Sequence, residues 1–97
     1  DALCDKAAAE IVKKLDWHKS MGDTYIAASI NTEHCYGGGY PMSVVEHVGR
    51  EFAKMGWFVY LVRGGAYNNW TWLRVKNYEH AEGYTEANFP DYYKRVR

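Results

Sequence analysis

A chain of 97 residues with 47% hydrophobic and 25% charged side chains has the make-up of one folded domain around one core. Twelve basic and twelve acidic residues cancel, which argues against a dedicated duplex-DNA binder. No apolar run approaches the roughly 18 residues of a membrane span and no low-complexity tract marks disorder, so no membrane role is expected.

Residues 2–19 carry a helical pattern, with Leu3, Ala7, Ile11 and Leu15 recurring every fourth position and Ala8 and Val12 widening the stripe. Lys6, Glu10, Lys13 and Lys14 fall off it, Asp1 suits the positive end of the helix dipole, and Gly22 ends the segment. Residues 24–30 then alternate as a strand, Ile26, Ala28 and Ile30 on one side and Tyr25, Ala27 and Ser29 on the other. A polar loop over 31–42 contains Gly37, Gly38 and Gly39. Ser43 and Glu46 have the spacing of a capping box for a second helix over 43–55. Val45, Val48, Phe52 and Met55 form its apolar face, and Gly56 suits its C-terminal end.

From residue 57 the period shortens to two. Residues 57–63 and 70–76 read as an antiparallel hairpin, joined through 64–69, a stretch rich in residues that tolerate positive φ. Val59, Leu61, Leu73 and Val75 are the natural core side. If the first strand lies beside the second, the helix between them forms a right-handed crossover. The expected fold class is α+β: one domain over 1–97 with α-β-α-β-β order, its short mixed sheet packed against two helices. Residues 78–97 read as an irregular acidic and aromatic segment followed by a basic tail of Lys94, Arg95 and Arg97.

The other side of the hairpin carries Phe58, Tyr60 and Val62 with Trp70, Trp72, Arg74 and Lys76, and residues 52–78 contain no acid at all. Aromatic rings and arginine are what protein–protein hot spots are made of, so Tyr60, Trp70, Trp72, Arg74, Lys76 and Arg63 are the expected partner-binding set. The same surface suits single-stranded nucleic acid, with bases stacked on rings and cations on phosphates. Zero net charge ranks a protein partner, or a second copy of the chain, ahead of it. Residues 79–93 bring Glu79, Glu82, Glu86 and Asp91 together with Tyr84, Phe89, Tyr92 and Tyr93. Such a segment either folds back over the basic sheet or leaves that face to a partner.

A second candidate is a small-ligand or enzymatic site at His34, Cys35, Gly37, Gly38, Gly39 and Tyr40. A glycine-rich turn leading into a helix start can present backbone N–H groups to an anion. Neither P-loop nor dinucleotide spacing is present, which makes a plain turn the simpler reading. Cys35 beside His34 is a poor nucleophile–base pair, because adjacent side chains in an extended loop point apart. Four histidines and two cysteines show no short ligand spacing, so no metal, cofactor or catalytic residue is expected. Cys4 and Cys35 are a thin disulfide framework and favour a reducing, cytoplasmic setting. The sequence opens on Asp1 rather than Met, which points to trimming or processing. In composition and element order the chain resembles small bacteriophage accessory proteins: one α+β layer, rich in Tyr and Trp, without a catalytic signature. That resemblance implies a host-factor-binding role and assigns no residue. The expectation is a non-enzymatic interaction module.

Overall fold

The computed structural model describes residues 1–35, 38–64, 69–79 and 91–97. Helix α1, Ala2–Ser20, begins where the Asp1 carboxylate accepts the Cys4 amide at 2.9 Å, a side-chain cap on an otherwise unsatisfied donor. Asp5 in its first turn and His18 and Lys19 in its last complement the dipole. Ala7, Ile11 and Leu15 are buried as the spacing predicts, whereas Leu3 and Val12 remain exposed on the flanks of that stripe. Helix α2, Met42–Lys54, starts one residue earlier than its capping-box spacing suggests. Pro41 is its N-cap and makes no side-chain cap bond, so Ser43 and Glu46 do not form the box. Val45, Val48 and Phe52 are buried with Val44, while Met55 sits beyond the last turn and is exposed. Gly49 lets α2 settle on the sheet: a Cβ there would stand 3.0 Å from a Leu73 methyl and 3.5 Å from Val59 and Val96.

Four strands form one sheet: β1 Ala27–Asn31, β2 Phe58–Arg63, β3 Trp70–Lys76 and β4 Tyr93–Val96, in the order β1-β3-β2-β4. Every neighbouring pair is antiparallel, so the α+β class and element order stand but the sheet is not mixed. β1 and β2 do run the same way, each antiparallel to β3, yet β3 lies between them. The hairpin's return strand takes the slot that a simple crossover would have closed. Val59, Leu61, Leu73 and Val75 meet Ala28 and Ile30 on one face of the sheet, and the buried stripes of both helices pack there. The basic tail is a strand rather than an irregular end: β4 pairs with β2, and Val96 packs against the core. Among the described residues no helix is long and apolar enough to cross a membrane.

Candidate functional site

With the core on one side, strand alternation fixes what the other side holds. The register aligns Ser29, Arg74, Tyr60 and Arg95 in one row across all four strands. Ala27, Lys76 and Phe58 form the next row on one flank; Asn31, Trp72, Val62 and Tyr93 form the row on the other. Among the described residues, cations meet the rings of this face directly. The Arg95 guanidinium lies 4.9 Å from the Phe58 ring centre and 5.9 Å from that of Tyr60. The Lys76 ammonium lies 4.4 Å from the Tyr78 centre and 5.6 Å from that of Tyr60. Such contacts need the cation partly stripped of water to be strong, and Lys76 is only 3% exposed. Burial, reinforced by the charge of Arg74, pushes its amine down to about 8. Arg74 Nε donates to Ser29 Oγ at 3.3 Å, and Arg95 pairs with Glu79 at 3.3 Å.

Of the six residues the sequence assigns to a partner, the structure keeps four on this face and moves two. Tyr60 and Lys76 are buried within it, whereas Trp72 and Arg74 are half-buried. The register shifts between Val62 and Arg63, so three residues of β3 oppose two of β2. This bulge separates the two tryptophans. Trp70 packs against the core cluster with the Arg63 guanidinium 4.4 Å from its ring centre, and the outer ring of Trp72 lies against Gly64. Phe58 and Arg95 take the vacated roles. Arg95 escapes a reading by charge alone, because four residues with three cations look like a solvated tail. The alternation of Lys94 and Val96 against Tyr93 and Arg95 is the signal that marks it as a strand. The proposed fold-back of 79–93 lies mostly outside the described residues.

The described part of the glycine-rich loop is tied down by hydrogen bonds to the chain itself. Thr32 is fully buried, and its hydroxyl donates to the Trp70 carbonyl at 2.7 Å, with the Thr71 carbonyl at 3.1 Å. The amides of Glu33, Cys35, Gly38 and Tyr40 bond to the carbonyls of Tyr40, Thr32, Cys35 and Asn31 at 2.8–3.2 Å. The His34 amide faces Thr32 Oγ1 at 3.3 Å, and the first amide of α2, at Met42, faces the Glu33 carboxylate at 3.4 Å. These described amides are therefore directed at the chain itself. Gly39 is required here, because a Cβ would run into the Thr32 carbonyl. Gly37 lies outside the described residues. The Tyr40 hydroxyl donates to Glu10 at 3.0 Å, and burial, together with that carboxylate, raises its pKa. Cys4 and Cys35 are free thiols, and no group of three His, Cys, Asp or Glu side chains among the described residues is placed to hold a metal. No family model, curated protein or solved structure matches the chain.

Proposed function

We propose that the chain is a non-enzymatic interaction module whose sheet face, opposite the helices, binds an acidic segment of a protein partner. The observation that carries this reading is the cross-strand row in which Arg74 and Arg95 flank Tyr60, with Trp72 and Phe58 beside it. On the described part of that face Arg74 and Arg95 stand near one carboxylate, Glu79, which pairs with Arg95. Carboxylates meeting arginines already braced on rings and hydroxyls lose less side-chain freedom than those meeting mobile ones.

Base stacking is the weaker reading of the same face. Tyr60 is 4% exposed and has Arg95 and Lys76 near its ring, so a base would first have to displace the chain's own cations. A zero net charge also supplies no long-range pull on a phosphate backbone.

Titration with a hexaglutamate peptide and, separately, an oligothymidylate, followed by tryptophan fluorescence, tests the choice. The peptide should bind and the Arg74→Glu variant should bind it about tenfold more weakly or worse. Binding of the oligonucleotide alone, lost as salt rises from about 50 to 200 mM, would replace the protein-partner reading with the nucleic-acid one.

A further inference from the structure

A second surface lies on the far side of the helix layer. Cys4, Ala8 and Val12 recur at i, i+4 and i+8 on α1, and His47 and Glu51 on α2 continue at the same spacing to Met55 at its C-cap. Between these two rows, over Val48 and Phe52, is an open hollow of about 250 Å³. Its lining is mostly apolar, and Val12 and Met55 beside it are 45% and 65% exposed. Large side chains this open, on either side of one hollow, differ from apolar residues scattered singly over a surface.

The charged groups lining the hollow are all acidic. Asp5 and Glu51 stand at its rim, and Asp1 lines the adjoining hollow with Cys4, Ser43, Val44 and His47. Lysine and arginine are absent from both linings. Lys54 reaches Glu51 at 3.4 Å, but both side chains are well exposed, and such a surface pair is readily exchanged for another cation. The hollow is smaller than the roughly 300–1,000 Å³ of small-molecule sites, which suits one anchoring side chain better than a whole ligand.

We infer that this groove seats a basic amphipathic helix of a protein partner, one large apolar side chain entering between Val12 and Met55 while lysines or arginines face Asp5 and Glu51. The mode is a helix laid in a groove, and the rim carboxylates set the sign of the helix that fits. It uses none of the residues of the sheet face and does not depend on that face binding anything.

The test is methyl and imidazole NMR on the intact chain, titrated with a 14-residue amphipathic peptide of leucine and lysine and with its leucine–glutamate counterpart. The lysine peptide should shift the signals of Val12, Val48, Met55 and His47, and the glutamate peptide should leave them in place. The double variant Asp5→Asn, Glu51→Gln removes both rim charges without placing a cation in the first turn of α1 or beside Lys54, so it should lower the melting temperature by only a few degrees while weakening the lysine peptide at least about tenfold. Equal response to both peptides, or lysine-peptide shifts confined to the sheet face, would overturn the inference. So would groove signals that move with protein concentration alone, which would make a second copy the occupant.

Discussion

Lys76 brings an ammonium group into a sheet face where burial works against its charge. Its folded-state pKa of about 8 lies below the ordinary 10.5, so between those values the unfolded chain binds the extra proton. The residue therefore lowers stability below about pH 8, and that penalty fades as pH rises towards 10.5. The Lys76→Met variant should accordingly gain most over the native chain near pH 7, and the gap should narrow in denaturant melts by pH 9.5; a constant gap would contradict the assignment. Trp72 is a different case. Its outer ring packs on Gly64 while its Nε1 is buried with no acceptor among the described residues. Trp72→Phe removes the orphan donor but also the outer-ring atoms that meet Gly64, so it should cost about 1 kcal/mol. Trp72→Ala leaves a gap and should cost about 2–3 kcal/mol in the same melts.

At the scale of the elements, the edges of the sheet are managed differently. β4, four residues long, is one edge strand, and β1 is the other. Pairing of Ile26 with Asn77 and of Thr32 with Thr71 turns the backbone groups of Ala27 and Ser29 away from β3. Lys14 covers that edge by donating to the Ser29 carbonyl at 2.7 Å while pairing with Glu10 at 3.1 Å. Lys14→Ala should leave stability within about 0.5 kcal/mol yet raise self-association in sedimentation at high concentration. The helices and the core rows of the strands were legible because their periods are local. Ile11, Ile30, Val45, Leu73 and Val75 follow from spacing alone and are all buried. What spacing does not contain is which strand sits beside β1, because that pairing joins residues more than forty positions apart, as Ala28 with Val75. Nor does it reveal the bulge that sends Trp70 to the core while Trp72 stays on the open side. Arg95 was hidden for a related reason: a cation stacked over Phe58 looks, in one dimension, like any other charge in a terminal run.

For the whole molecule, the two proposed surfaces carry unlike charge, although the helices that border the groove hold acids and bases in near-equal number. Arg74, Lys76 and Arg95 lie on the sheet side, and Asp5 and Glu51 line the groove on the helix side. The claim on which this account turns is that the sheet face receives acid groups. Backbone amide shifts recorded as hexaglutamate is added test it most directly. Shifts centred on Phe58, Trp72, Arg74 and Arg95, abolished in the Arg74→Glu, Arg95→Glu double variant, are the predicted result. No shifts, or shifts that survive both reversals, would contradict it.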